Sequence, residues 1–493
     1  MLPINSGGHA AYQTFLLKQL SIHYPNPHSI DSQTWNIIDR FYYKDLSNVD
    51  VSLIDCYSTL GAPPRLPSCM LRSILLSLTF KVNSYTKWAT QLKLNPLYAI
   101  LCGFEVGDTP GIGTFYDFHK RLWMSDDKNF SPHERPPKPS VTKPTKAGDK
   151  ADSVEQITVE SLIEQHLISP PSTEQPFSKL FELFKQEFLD VSVSKGLINT
   201  DELSLSGDGT SAVTSAYLRK HRVCSCRDNA IFNCGCDRFY SQPDCDVGWD
   251  STRKCFYHGY NLYLLTECTS AHNLPIFPLL NPASRHDSIA FTQSFFLMQS
   301  FIPYASIDKL LLDSAHDALS IYSFCKSHSI TPFIDLNQKR GAPLKFKDDF
   351  TIDTDGIPIC KEGHRMRRDG VEKRKFRLKF RCPLMNRQSG SSCDHPCSDA
   401  KYGRTVHLSM NDNPRLFNIP PRGSKQWIEH YKARTASERN NKRIKIDYQL
   451  ENGKHRSSRE WYCRLFCIMM CQHLDAWDLS QESSAKNHLL QVA

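Results

Sequence analysis

The sequence has 493 residues, enough for two or three domains with a large core, and its 60 Lys+Arg against 52 Asp+Glu leave a net charge of +8. A hydrophobic share of 40% with 11% aromatics excludes a wholly disordered chain. A mean hydropathy of -0.44 excludes a membrane span, since the longest apolar stretch, around 295–302, is broken by Gln299 and Ser300. The start, MLPINSGGHAAYQ, lacks the basic residues and apolar block of a signal peptide, so the expected location is the cytoplasm.

From about Thr34 to Trp123 the chain reads as short helices. Pro67 opens PSCMLRSILLSLTFKV, in which Met70, Leu71, Ile74, Leu75 and Leu78 recur at helical spacing. Ser84 is placed to cap YTKWATQL, and Thr114 to cap FYDFHKRLW. With Arg65, Arg72, Lys81, Lys87 and Lys93 among them, these helices fit either a helix-turn-helix unit or a plain bundle with a solvated basic surface. Residues 124–153 are rich in Pro, Lys and Ser without apolar periodicity, which predicts a flexible basic linker. A helix is expected to resume at FSKLFELFKQEFLDVSVSKGLI and to close near Gly196.

Beyond Glu202, strands and helices alternate. LSLSGDGTSAV, YHGYNLYLLTEC and PIFPLL read as strands, SIAFTQSFFLMQSFI as a helix and DKLLLDSA as a strand ending in an acid. HDALSIYSFCKSH then reads as a helix and TPFIDLN as a short strand, which together predict a mixed α/β sheet. The rhythm fails between about Gln338 and His407, a basic, Cys-containing stretch with the character of an insertion. Afterwards SKQWIEHYKARTASERNNKRIKI and REWYCRLFCIMMCQHL are strong helix candidates.

Two carboxylates sit at the ends of apolar strands, Asp208 in LSLSGDGT and Asp313 in KLLLDSAHDA. That is where open α/β sheets bind ligands, although a strand-end Asp also caps turns. The glycines flanking Asp208 leave room for a ligand or phosphate. In the helix that follows the insertion, Trp427, Tyr431, Arg434, Glu438, Asn441 and Lys445 are spaced by three and four, so they share one face. An Arg and a Glu four apart could be a plain surface pair, but that does not explain a whole row of chemically mixed residues. Three carboxylates from two strands and a helix are what a two-metal phosphoryl-transfer site requires: Mg²⁺ takes oxygen ligands, and neighbouring basic groups would hold phosphates.

Tyr431, Arg434, Glu438 and Lys445 have two, three and six residues between them. In this spacing the chain resembles the DDE transposases of bacterial insertion sequences, in the subgroup marked by Tyr, Arg, Glu and Lys on the last catalytic helix. The segment PSCMLRSILLSL…NPLYAILCGF…TPGIGTFYDFHKRL resembles their N-terminal helical domain, and GDGT, YHGYNLY, ASRHDS and LLLDSAHD resemble the sheet signatures of their catalytic core. The resemblance implies an α/β, ribonuclease-H-like mixed sheet with flanking helices and an N-terminal helical domain of helix-turn-helix type. It implies Asp208, Asp313 and Glu438 as catalytic ligands of Mg²⁺ or Mn²⁺, and Tyr431, Arg434 and Lys445 as contacts to the phosphates of the transposon ends. The partners it implies are DNA, as terminal inverted repeats and target, and a second copy of the chain in a DNA-bound homodimer; no membrane is involved. The implied reaction is strand cleavage followed by strand transfer. The alternatives are a ribonuclease-H-like nuclease without transfer and a catalytically inactive DNA-binding protein.

The 18 cysteines divide by position. Cys56, Cys69, Cys102, Cys268 and Cys325 lie in apolar stretches, and Cys463, Cys467 and Cys471 recur every fourth residue on one helical face. Cys360, His364, Cys382, Cys393 and Cys397 are five candidates for the four places of a structural Zn²⁺ site, of zinc-ribbon type, before the last catalytic helix. Between them Lys375, Arg377, Lys379 and Arg381 alternate with Phe376, Leu378 and Phe380, giving a strand with one basic face suited to a DNA backbone. Cys224, Cys226, Cys234 and Cys236 form two Cys-x-Cys pairs that could bind metal or remain a reduced loop. The expected division is 1–123 DNA-binding helices, 124–175 linker, 176–337 first part of the catalytic domain, 338–407 insertion and 408–493 last part of the catalytic domain.

Overall fold

The structure, a computed structural model, describes residues 8–58, 60–61, 63–123, 157–217, 230, 242, 244–337, 344–346, 350–353, 355–386, 390–391, 393–409, 411, 413–453, 455–477 and 485–492. The two Cys-x-Cys pairs at 224–226 and 234–236 and the linker stretch 124–153 lie outside the described residues.

The N-terminal part is helical: α1 (Gly8–His23), α2 (Ser32–Tyr43), α3 (Ser47–Ser52), α4 (Pro67–Thr79), α5 (Tyr85–Leu94), α6 (Pro96–Cys102) and α7 (Ile112–Trp123). Pro67 occupies the first turn of α4, where its missing N–H costs nothing. Ser84 stands at the N-cap of α5 without making a side-chain capping bond, and α7 starts two residues before Thr114. Inside the expected 124–175 linker, α8 (Val159–Ile168) is a helix, capped by Thr158. The next helix comes in pieces, α9 (Ser178–Phe184), a π turn and α10 (Asp190–Ser194), and ends at Gly196 with φ +73°.

The sheet is mixed. Its strands are β1 (Leu203–Val213), β2 (Asp246–Asp250), β3 (Cys255–Glu267), β4 (Pro275–Pro282), β5 (Ile307–Leu312) and β6 (Thr331–Ile334), with α11 (Asp287–Phe301) between β4 and β5 and α12 (Leu319–Ser327) between β5 and β6. In space the order is β4-β3-β1-β5-β6, with β2 pairing the start of β3. The pairs among β1 to β4 are antiparallel, whereas β5 and β6 run parallel to β1. Leu205 lies opposite Leu310 and Ser206 opposite Leu311, so the same register puts position 208, in the middle of β1 and not at its end as the sequence suggested, level with position 313 just past the end of β5.

The insertion holds β7 (Leu344–Phe346), β8 (Phe350–Ile352), β9 (Pro358–Ile359), β10 (Arg367–Glu372), β11 (Arg377–Arg381), β12 (Met385–Asn386), β13 (Gly390–Ser391) and β14 (Thr405–Ser409). It builds a core of its own from residues including Ile352, Met366, Leu378, Phe380, Leu408 and Phe417. Its two chain ends are tied together on the main sheet. Arg415 reaches the Asn337 carbonyl at 3.2 Å, and buried Arg422 donates to the Ile334 carbonyl at 2.8 Å and the Arg415 carbonyl at 2.7 Å.

After the insertion, α13 (Lys425–Tyr431), a 3-10 turn, α14 (Thr435–Lys442) and a π turn to Asp447 form one helical run across the sheet. Then α15 (Ser458–Ala476) is buried on all sides, and α16 (Ala485–Val492) packs against α1 and α2. Cys463, Cys467 and Cys471 are buried with the rest of α15, whereas Cys56 is half-buried. The core does not break at residue 123. Trp123 packs on Tyr462, the Cys471 thiol reaches the Leu75 carbonyl, and buried His119 bonds Glu460 at 2.7 Å. The helix that ends the fold thus docks the N-terminal helices onto the sheet.

Burial along α15 makes an acid-sensitive point. His473 is fully buried between the Ser192 hydroxyl and the Pro275 carbonyl, at 2.8 and 3.0 Å. Burial pushes its pKa down to about 4. A histidine lowered in the fold supports stability fully above its ordinary value near 6.5, and that support is lost as pH falls toward 4. Urea unfolding at stepped pH should therefore show a loss between pH 6.5 and 4, and His473→Gln should remove about 3 kcal/mol of that loss. An unchanged slope in the variant would refute this assignment.

Candidate functional site

The helical run from α13 crosses the sheet from β6 to β1, and its hydrogen bonds fix the alignment. Trp427 packs on Phe333 of β6 and stacks on Tyr431 at 4.4 Å. The Tyr431 hydroxyl is 2.7 Å from Asp335 and 3.2 Å from the Leu312 carbonyl, the residue before Asp313. Ser206 of β1 donates to the Arg434 carbonyl at 2.9 Å and also meets the Ser437 hydroxyl at 2.9 Å. Asn441 donates to Asp208 at 2.9 Å, and Lys445 donates to the Ser211 carbonyl and hydroxyl at 2.7 and 2.9 Å. The row Trp427, Tyr431, Arg434, Asn441, Lys445 therefore faces the sheet in the order β6, β5, β1, and Glu438 follows Ser437, which meets Ser206 of β1.

Each of the three carboxylates has its own partner. Glu438, half exposed, accepts from Arg434 at 2.5 Å. Asp313 accepts at Oδ1 from the Ala315 N–H at 3.0 Å and from His316 at 2.6 Å. Asp208 holds Asn441. Among the described residues no three His, Cys, Asp or Glu side chains already meet at metal-ligating geometry. The charges nevertheless act on one another. Burial first, then Asp313 and Asp287, push the Asp208 carboxyl up to about 7, against His316 and Arg434. For Asp313 burial acts upward, but the His316 hydrogen bond and charge outweigh it and hold the carboxyl below its ordinary value. Arg434 feels both Glu438 and Asp208, so it sits between the strand ends and the helix.

The glycines beside Asp208 serve neighbouring side chains. A Cβ on Gly207 would lie 2.5 Å from the Tyr263 hydroxyl. One on Gly209 would run into the carboxylate of Asp287 and lie 2.7 Å from Asn261 Oδ1. Asp287, at the start of α11, is held by Asn261 at 2.7 Å and is a fourth acid at this rim that the sequence reading missed. Only its place in ASRHDS, before a helix, could have signalled it. His316 was also missed as a partner of Asp313. Asp287, Glu438, Asn441 and Lys445, with Arg253 and Arg285, line an open groove of about 800 Å³ beside the strand ends. Asp317, near Asp313 in sequence, has no exposed side-chain surface: Arg415 grips it at 3.0 and 2.7 Å, with Tyr322 and the Asn337 N–H also bonded to it.

In the insertion, Arg377, Lys379 and Arg381 do lie on one strand, with Leu378 and Phe380 buried beneath, while Lys375 falls in a 3-10 turn and Phe376 is exposed. The basic face is paired: Arg377 with Glu372 at 2.8 Å, and Lys379 and Arg381 with Asp369 at 2.9 and 2.7 Å. The strand is central, between β10 and β14. Of the cysteines, the Cys397 thiol is raised by burial first, then by Cys360 and Cys393, but among the described residues no three Cys or His side chains form a group that could hold a metal ion. The N–H of Cys360 reaches the His364 carbonyl at 3.0 Å in a turn through Gly363, and Cys382 sits beside Gly403.

Residues 27–121, the span from just before α2 to α7, match a family described as a transposase domain (DUF772). No curated protein matches the chain. The family match supports a transposase, and with it DNA as the partner. Among the described residues no helix is long and apolar enough to cross a membrane.

Proposed function

We propose that the chain is a DNA transposase of the DDE type, whose ribonuclease-H-like sheet carries Asp208, Asp313 and Glu438 as its catalytic carboxylates. The strand order β4-β3-β1-β5-β6, three antiparallel strands followed by two parallel ones, supports that fold. The observation that carries the reading is the common level of positions 208 and 313 with the Glu438 helix laid across β1 beside them.

The donor set suits Mg²⁺ or Mn²⁺: every candidate ligand is a carboxylate oxygen, and the charges of Asp313 and Asp287, which add to burial in raising Asp208, are ones that a dication would offset. Such ions, when bound, would make water or a hydroxyl a better nucleophile and stabilise the leaving oxygen. The protein's own part is to hold the DNA. Arg434, once released from Glu438, and Lys445 would grip backbone phosphates, and Tyr431 fixes the helix against Asp335. Water would cut a phosphodiester at each transposon end and free a 3′-hydroxyl, which would then attack target DNA in-line. Two ends must be joined, so a homodimer on DNA belongs to this reading. Cys360, His364, Cys382, Cys393 and Cys397 offer five donors for the four places of a structural Zn²⁺ in a zinc-ribbon-like insertion, which they would have to close around the ion.

Two measurements test these assignments. The purified chain with Mg²⁺ or Mn²⁺ should nick DNA that carries the inverted repeats flanking its coding region and join the freed 3′-ends to a plasmid. Nicking without joining would leave the nuclease alternative, and no cutting would leave a DNA-binding protein. Elemental analysis should give one Zn per chain, and less would overturn the zinc assignment.

A further inference from the structure

We infer that His316 is the positioning residue of Asp313: it fixes one carboxylate oxygen so that the other is left for a cation. This rests on the proposed cation site and adds to it a residue outside the three carboxylates. The His316 ring has no exposed surface. Its Nδ1 lies 2.6 Å from Asp313 Oδ1, and its Nε2 lies 2.8 Å from the Tyr263 hydroxyl. The ring is also wedged edge-on against Phe291 and Tyr263, each with centroids 5.7 Å away.

These contacts leave His316 little freedom. An ionised carboxylate only accepts, so the nitrogen facing Asp313 must carry the proton. Tyr263 bonds the other nitrogen, which holds the ring in plane. The Ala315 N–H reaches the same oxygen, Oδ1, so two donors fix one side of the carboxylate. Among the described residues Oδ2 has no hydrogen-bond partner, although the Asp313 side chain is partly exposed. A buried ring needed only for packing would not need its two nitrogens matched to a carboxylate and a phenol. A Phe would fill the slot between Phe291 and Tyr263 without the cost of burying a polar ring. Hydrogen-bonded partners behind a ligating carboxylate typically change metal affinity by about 10–100-fold.

The test is Mn²⁺ binding to the full chain without DNA, followed by titration with electron paramagnetic resonance, with folding checked by circular dichroism. His316→Phe keeps the ring and removes both bonds, and should weaken Mn²⁺ by about 10–100-fold. His316→Asn restores a donor at the Nδ1 position and should recover most of that loss, which a purely structural role would not do. Tyr263→Phe, which removes one hydroxyl and leaves the packing, should weaken binding by a smaller factor and serves if His316→Phe fails to fold. Wild-type affinity in both His316→Phe and Tyr263→Phe, or an Asn variant no better than Phe, would overturn the inference. If the wild type shows no Mn²⁺ site that Asp313→Asn removes, the cation site itself falls, and the inference with it.

Discussion

Glu438→Gln should reduce DNA strand cleavage by at least about a thousandfold while leaving DNA binding and the melting temperature nearly unchanged. The substitution keeps an oxygen where Arg434 now bonds, so the helix loses only a half-exposed ion pair, worth a few tenths of a kcal/mol. On the proposed reading it removes a negative ligand, and electrophilic help from a bound cation contributes several kcal/mol to a phosphoryl-transfer transition state. At about 1.4 kcal/mol per factor of ten, that amounts to three orders of magnitude or more. A nicking assay beside a gel-shift assay on the same DNA reads both quantities. Equal cleavage by variant and wild type would remove Glu438 from the reaction. A parallel loss of binding would make it a DNA contact.

The largest effect on stability is expected away from the reaction, at Asp317. Asp317→Ala should cost about 3 kcal/mol, because it removes a fully buried carboxylate and leaves the partly buried guanidinium of Arg415 without its counter-charge. Tyr322 and the Asn337 N–H lose their acceptor in the same change. Replacing both members, Asp317→Ala with Arg415→Met, should cost less than the single change, since no orphan charge remains. Chemical unfolding of the three proteins settles this, and a double variant less stable than the single would count against the orphan-charge account. Cleavage per folded molecule should survive in these proteins, which separates Asp317 from Asp313 although the two are near neighbours in sequence.

That pair shows what was legible in the sequence. The apolar run KLLL followed by an acid located the end of β5, and LSLSG located β1 but not its end, which lies five residues past Asp208, because local alternation is a sequence-near signal and strand pairing is not. The row from Trp427 to Lys445 was legible for the same reason, since a helix repeats itself within a few residues. Which acid faces outward and which is saturated depends on Arg415, about a hundred positions away, and no local pattern carries that. The same limit hid β2, the two-sided burial of α15, and the carboxylate of Asp287 over Gly209. It also gave the glycines beside Asp208 the wrong occupant: their missing side chains make room for Tyr263 and Asp287. The alternating strand Arg377–Arg381 was readable, whereas its neutralisation by Asp369 and Glu372 needed the pairing of β10 with β11.

The tied chain ends beneath the insertion have a consequence for what can be changed. Arg422 on the Ile334 carbonyl, Arg415 on Asn337 and Tyr431 on Asp335 pinch the excursion shut where it leaves and rejoins the sheet. Closing a longer loop across a fixed gap adds only about 0.6 kcal/mol per doubling of length. The clasps, and not the length of the excursion, therefore set where Glu438 stands, and changes of loop length outside them and outside the core of Ile352, Leu378 and Phe417 should leave its placement intact.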